Sequence, residues 1–349
     1  MPFYKIRKQI RFWMLLLLAT LLIIACQKFP SKSPTAPSNS MADCRVVKHE
    51  MGETEICGQP SRVAALSPHI LDSMLSLGVQ PIAYADGSRS FNLQKFDQPE
   101  AQIPYIGRYV TTQPINLGDR KNPSLERLAK VKPDLILSED WLAEEHYSLL
   151  SKIAPTLLFS DVDDEEGDQH WHHDIEGIAQ ALGKEAEVKA LLTQHSNQIA
   201  AMRKQLAPVA AAYPRVLVIS SDNPTSSIYL GDSTTPRLLH AIGFETVSPK
   251  NSPLISGGDS QISMEALPQI EADLIFVMAW SDEGLRDPQE KVKQQWAENP
   301  LLNQMSAFKA GHVFFVDYYI WGSVTRGPIT DQLVLDQLPQ ILLPLVDDA

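Results

Sequence analysis

Short apolar runs recur along the chain and alternate with stretches of helical period. Val63 to Leu66, Ile82 to Ala85, Leu135 to Leu137 and Leu157 to Phe159 are strand-like, whereas His69 to Leu77, Leu125 to Val131 and Leu142 to Ile153 repeat their apolar residues at helical spacing. Apolar runs without a polar face predict strands covered on both sides by helices, the signature of a mostly parallel sheet. A second set opens at Arg215 to Ile219 and continues with Leu274 to Met278 and Val313 to Val316. Between the sets, Val188, Leu191, Leu192, His195, Ile199, Met202 and Leu206 predict one helix from Lys184 to Leu206, about 34 Å at roughly 1.5 Å per residue. The expected fold is therefore α/β, with two lobes joined by a single long interdomain helix.

An internal repeat strengthens that division. Ser124-Leu125-Glu126-Arg127-Leu128-Ala129-Lys130-Val131-Lys132-Pro133-Asp134-Leu135-Ile136-Leu137 aligns without gaps to the segment from Ser263 to Phe276, at an offset of 139 residues. The Ser, Glu and Asp match as well as the apolar positions, and the same offset carries Trp141 onto Trp280. One lobe reads as a pseudo-duplicate of the other. The expected organisation is a leader over residues 1–26, a tether over 27–43, a lobe over 44–168, linking helices over 169–208 and a second lobe over 209–349.

The first residues predict export. Lys5, Arg7, Lys8 and Arg11 precede an apolar run from Phe12 to Ala25, too short to span a bilayer as a helix, that stops at Cys26. Ile23-Ile24-Ala25-Cys26 resembles a bacterial lipobox, with Ile24 bulkier than the residue usual there, which makes Cys26 the expected lipid-anchored residue. The Ser/Pro/Lys-rich stretch from Gln27 to Ser40 reads as a flexible tether. Four of the 30 basic residues and none of the 42 acidic ones lie in the leader, so the remainder is more acidic than the formal charge of −12. Nucleic acid is thereby disfavoured as a partner. Cys44 and Cys57 flank a short hairpin pattern whose turn falls between Glu50 and Met51, which sets them opposite one another as an expected disulfide; two independent thiols remain the alternative.

These segments resemble the substrate-binding proteins of iron-siderophore and cobalamin ABC importers. The resemblance rests on Pro60-Ser61-Arg62-Val63-Ala64-Ala65-Leu66-Ser67-Pro68, Ile103-Pro104-Tyr105-Ile106-Gly107 and the repeated Ser-x-Glu to Asp-Leu-Ile unit. It extends through Ile178-Ala179-Gln180-Ala181-Leu182-Gly183 to Gly311-His312-Val313-Phe314-Phe315-Val316-Asp317, Trp321 and Gly327-Pro328. It implies two Rossmann-like lobes, a ferric siderophore as ligand, an ABC permease dimer with its ATPase subunits as partner, and a periplasmic or cell-surface location. It also implies that one glutamate per lobe, Glu126 and Glu265, meets the permease. The His-rich pattern of the zinc and manganese relatives is missing, which favours chelated iron, such as a complex of the ferric citrate type, and leaves cobalamin or haem as the runner-up.

In open α/β lobes ligands sit beyond the carboxyl ends of strands. Residues placed there are Arg89, Arg108, Tyr109 and Trp141 in the first lobe, and Tyr229, Trp280, Tyr319, Trp321 and Arg326 in the second. A ferric complex is bulky and often anionic with its coordination shell filled, so it calls for guanidinium forks and aromatic faces rather than protein metal ligands or a cofactor. Strand alternation in Asp317-Tyr318-Tyr319-Ile320-Trp321 would place Tyr319 and Trp321 on one side. His170-Trp171-His172-His173, after a run of acids, reads as a solvated loop ahead of a helix from Asp174 to Leu182. An exported α/β metallohydrolase using that cluster is the competing reading of a different class. No nucleophile elbow, zincin helix, Cys-x-x-Cys pair or phosphate-binding glycine loop occurs, which favours a binding protein over an enzyme.

Overall fold

In a computed structural model, which describes residues 44–86, 94–160, 170–223, 227–230, 234–247, 261–280, 288–322 and 324–347, the chain opens with an antiparallel hairpin. Strands β1 (Cys44–His49) and β2 (Gly52–Cys57) pair from Cys44↔Cys57 to His49↔Gly52, and a disulfide joins Cys44 to Cys57. The leader, the tether and Cys26 lie outside the described residues. Arg45 anchors the hairpin: its guanidinium donates to the carbonyls of Gln180 (2.5 Å), Ala181 (2.6 Å) and Gly58 (2.8 Å). The first two belong to the last turn of a later helix, whose carbonyls have no partner within the helix itself.

The first lobe is a five-stranded parallel sheet in the order β5-β4-β3-β6-β7, formed by β3 (Val63–Ala65), β4 (Ala83–Asp86), β5 (Ile115–Asp119), β6 (Leu135–Glu139) and β7 (Thr156–Phe159). Every residue of β3, β4, β6 and β7 is buried, the reason their sequences lack a polar face. Alternation is preserved inside the lobe, since Val63 and Ala65 enter one apolar cluster and Ala64 and Leu66 the other. Helix α1 (Pro68–Ser76) starts where Ser67 Oγ accepts from the Ile70 amide at 3.3 Å, and α2 (Leu125–Val131) packs Leu128 inward. The stretch from Leu142 to Ile153 is not one helix: it is two single turns, Asp140–Ala143 and Tyr147–Leu150, separated by a 3-10 turn.

Helix α3 (His170–Leu182) begins four residues before the expected Asp174. The His-Trp-His-His segment is therefore helical and not a loop, and Trp171 is wholly buried. Helix α4 (Glu185–Ala212) is the long brace, about 42 Å at roughly 1.5 Å per residue. Val188 near its start belongs to the first lobe's core, and Leu206 and Val209 near its end belong to the second's.

The second lobe carries β8 (Arg215–Asn223), β9 (Ser227–Leu230), β10 (Glu245–Thr246), β11 (Gln261–Ile262), β12 (Leu274–Ala279) and β13 (Val313–Asp317) in the order β11-β9-β8-β12-β13. The strands β8, β12 and β13 run parallel, β10 pairs parallel with the start of β8, and β9 and β11 form an antiparallel edge. Its longer helices are α5 (Thr234–Ile242), α6 (Pro288–Ala297) and α7 (Pro328–Leu342).

The repeat is structural. Asp134 accepts from the amides of Ser61 and Arg62, each at 2.9 Å, and Asp273 accepts from the amide of Arg215 at 2.9 Å, so each aspartate pins the start of the neighbouring strand. Ser124 and Ser263 cap the following turn in the same way, accepting from Arg127 and Ala266. The copies differ in one respect: where the first forms α2, the second forms turns and a 3-10 helix, Leu267–Gln269. Pro268 explains this, because it removes an amide donor from the middle of the segment.

The two lobes are also held through α7. Asp72, wholly buried on α1, accepts from the amides of Ile329 (3.1 Å) and Thr330 (2.8 Å) and from the Thr330 hydroxyl (2.6 Å), and so caps a helix that belongs to the other lobe. Gly327 makes room for this cap: its φ is 148°, and a Cβ there would lie 2.4 Å from Asp72 Oδ1. Close by, Asp331 accepts from Trp171 Nε1 (3.0 Å) and pairs with His195 (2.9 Å), while His69 bridges Asp174 and the carbonyl of Arg326.

Candidate functional site

The carboxyl ends of the two sheets face each other. Asp86 ends β4, Arg120 follows β5, Glu139 ends β6 and Ser160 follows β7; Trp280 follows β12 and Tyr318 follows β13. At the floor, Tyr319 from the second lobe donates to Asp86 Oδ1 at 2.8 Å, and Tyr84 donates to the same oxygen at 3.0 Å. Burial, followed by the nearby Asp86 charge, pushes both phenols well above their ordinary pKa of 10. Both therefore remain donors at any physiological pH.

Beside that cluster, Glu139 and Arg326 face each other across the lobes with Oε2 and Nη2 3.6 Å apart. Both are buried, at 1% and 3% exposure. Arg326 Nη2 also donates to the Ser160 carbonyl at 3.3 Å. Burial alone would raise the Glu139 carboxyl. Arg326, then His69, a Ser67 hydrogen bond and Arg120 outweigh it and hold the group below its ordinary value. In the strand order, β3 lies between β4 and β6, so Glu139 stands at the point where the winding of the sheet reverses, the usual ligand crevice of such sheets.

The mouth is aromatic and basic. Trp141 is 46% exposed, its Nε1 donates to Glu139 Oε2 at 2.7 Å, and the Arg120 guanidinium carbon lies 5.3 Å from its ring centre. A second pair has the same form, with Arg108 5.1 Å from the ring of Tyr109, which is 40% exposed. Both stand on the 3-10 turn Ile106–Tyr109, just after Tyr105. Tyr105 has a φ of 57° and ψ of −59°, donates its hydroxyl to Asp317 across the lobes and packs 5.8 Å from the Tyr319 ring. A non-glycine residue at positive φ costs of order 1–3 kcal/mol and marks a position held by its surroundings. From the second lobe, half-buried Trp280 lies 6.5 Å from the ring of Tyr318.

Trp141, Trp280 and Tyr319 thus gather at the facing strand ends, whereas the turn carrying Arg108 and Tyr109 leads away from them, the Tyr109 carbonyl accepting from Gln80, which precedes β4. Trp321 does not: it is fully buried, stacked 5.1 Å from Phe276, with Nε1 on Gln337. Strand alternation fails there because Asp317 Oδ1 caps the Tyr319 amide and turns Tyr318–Trp321 into a helical turn, which sends Trp321 into the lobe core. Arg326 is at the site but faces Glu139 instead of open solvent. Tyr229 lies on β9 opposite Ser220 of β8, and Arg89 lies outside the described residues. Sequence reasoning missed Arg120, Tyr105, Asp86 and Glu139. For Arg120 the signal was its place directly after Ile115–Asp119, a strand disguised by Asn116, Gly118 and Asp119.

Among the described residues the one cluster of three close ligand atoms is Cys44, Glu55 and Cys57, two of which form the disulfide. Glu126 and Glu265 are both exposed. Glu126 pairs with Lys130 at 2.6 Å, one turn along α2, while no side-chain partner of Glu265 is found among the described residues.

Comparison with known proteins agrees with this architecture. The chain is 29% identical to the Fe(3+)-citrate-binding protein YfmC of Bacillus subtilis, over 90% of this chain and 91% of that protein. It is 28% identical to the ferric-anguibactin-binding protein FatB of Vibrio anguillarum, over 84% of this chain and 86% of that protein. Among solved structures, Staphylococcus aureus SirA complexed with staphyloferrin B superposes with a TM-score of 0.67 at 27% identity, covering 86% of this chain and 98% of SirA. The sequence matches the family described as "Periplasmic binding protein" over residues 63–319. With its paired sheets, bracing helix and facing strand ends, the chain belongs to that periplasmic binding protein family.

Proposed function

We propose that this chain captures a ferric siderophore, of the carboxylate type represented by ferric citrate, between its lobes and delivers it to an ABC permease dimer. The observation that carries the reading is the guanidinium–aromatic unit at the mouth, Arg120 with Trp141. A coordinatively saturated ferric complex offers anionic oxygens for the fork and an organic shell for the ring. On this reading the protein supplies no metal ligand and needs no cofactor. The relatives' ligands support it. The test is fluorescence quenching with ferric citrate, a ferric hydroxamate, a ferric catecholate, cobalamin and haem. Saturable binding of a ferric complex is expected, whereas binding of cobalamin or haem alone would overturn the assignment.

The duplicated unit supports a docking role for Glu126 and Glu265. Its Ser and Asp are used by the fold in both copies, whereas its Glu projects to solvent in both. Two acids at equivalent places suit a two-fold partner. Replacing both with Ala should leave ligand affinity intact and abolish uptake; full uptake by the double variant would rule docking out. Export with a lipid anchor at Cys26 completes the proposal, and Cys26→Ser should release the protein from membranes.

A further inference from the structure

The Glu139–Arg326 pair raises a question that ligand capture alone does not answer. A cleft for an anionic complex would be expected to leave its arginines available, yet one of them is met by a carboxylate of the opposite lobe, with both groups nearly removed from solvent. The same carboxylate oxygen accepts the Trp141 indole N–H at 2.7 Å, which fixes the orientation of a ring that is itself 46% exposed and covered by Arg120. Glu139 is thus joined to both arginines, to Arg326 by charge and to Arg120 through the indole.

We propose that Glu139 is the charge-selectivity residue of the cleft: a built-in counter-anion that neutralises Arg326 and aims the Trp141 ring, so that a ligand is met by Arg120 rather than by two open guanidiniums. The inference rests on the ligand-capture reading for its biological meaning, but not for its test. Two buried groups 3.6 Å apart interact far more strongly than either does with a solvated ion. With Arg326 so occupied, the most highly charged complexes lose the advantage that a second open cation would give them. Specificity then comes from a repulsive element beside the attractive ones. Asp86 is used differently, its Oδ1 accepting from both Tyr84 and Tyr319. Asp317 accepts from Tyr105 and from the Tyr319 amide.

The substitution Glu139→Gln keeps an acceptor for Trp141 and removes the charge. Iodide and caesium quenching of tryptophan fluorescence reads the local charge without any ferric ligand. Trp171, Trp296 and Trp321 are fully buried and Trp280 half-buried, and the share of Trp141 follows by difference from Trp141→Phe. The ratio of iodide to caesium quenching should rise about two-fold or more in Glu139→Gln, as a cation at this range loses its counter-charge. It should fall back in Glu139→Gln/Arg326→Gln. An unchanged ratio, or a rise that persists in the double variant, overturns the proposal. Should Glu139→Gln fail to fold, Arg326→Gln alone gives the opposite sign: Glu139 is left uncompensated and the ratio drops, and no drop overturns the proposal. In the ligand arm, Glu139→Gln should shift preference from a ferric hydroxamate toward ferric citrate by about ten-fold, the effect of one charge-assisted contact. Failure of the wild-type protein to bind any ferric complex would count against ligand capture, while the quenching ratio would still decide the role of Glu139.

Discussion

The hydroxyl of Tyr319 donates to Asp86 Oδ1 at 2.8 Å, tying the segment after β13 in one lobe to the end of β4 in the other. Tyr319→Phe removes one of the two phenols on that oxygen and should cost about 1 kcal/mol in urea unfolding; Asp86→Ala strands two buried hydroxyls and should cost more. The pH dependence has a definite sign. Both phenols have pKa values raised well above 10, so the folded chain keeps protons that the unfolded chain releases. Stability is then full below about pH 10 and falls as pH rises toward the raised values. Tyr84→Phe/Tyr319→Phe should flatten that alkaline fall; an unaltered slope between pH 8 and about pH 11 would show that these phenols do not carry it.

Asp72 gives the complementary case. Burial raises its carboxyl above 3.8, against the pull of Thr330, Ile329 and His69. A raised folded value means that the stability this group contributes is complete below about 3.8 and declines as pH rises through the folded value. Asp72→Asn should remove this decline, but it keeps only one of the two acceptor oxygens and turns an NH2 toward either the Ile329 or the Thr330 N–H, so at pH 7 it should unfold more easily than the wild type and less easily than Asp72→Ala. Asp72→Ala leaves α7 uncapped and should lose about 1–2 kcal/mol. Equal stabilities for the two variants would remove capping as the role of Asp72.

Trp321 belongs to the core of the second lobe. Trp321→Ala should destabilise by about 3–5 kcal/mol while leaving the affinity of the folded protein for its ligand unchanged. A selective loss of affinity with normal stability would return Trp321 to the cleft.

What was legible in the sequence was whatever local pattern controls. Strands such as Leu274–Ala279 announce themselves as continuous apolar runs because both faces are covered, and the repeat set β6 and β12 in equivalent places. Illegible features depended on partners distant in sequence. Nothing in the segment around Arg326 announces that Glu139 will lie 3.6 Å away, and the strand Ile115–Asp119 is held by its neighbours against poor intrinsic propensity. Asp317 redirects Trp321 through a single capping bond, and Pro268 changes one copy of the repeat by withdrawing a single donor.

Arg120 should matter more for binding than Arg326, because the latter already has its counter-charge. Arg120→Ala should weaken binding of an anionic ferric complex about 10- to 100-fold, the equivalent of roughly 1.5–3 kcal/mol. Trp141→Phe should have a smaller effect, since a ring survives. Isothermal titration with the ligand identified in the quenching panel distinguishes these outcomes. An Arg120→Ala protein of undiminished affinity would remove this guanidinium from the binding surface.

The cap that Asp72 places on α7, together with the bracing helix α4, has a kinetic consequence. Lobes splinted at two places need little rearrangement when a ligand arrives, so encounter is limited by diffusion and steering rather than by closure. Competing ligands should then associate at similar rates and be told apart by how long they stay. On the ligand-capture reading the protein is in this sense a timer, releasing poorly matched complexes quickly and holding the matched one until it meets the permease.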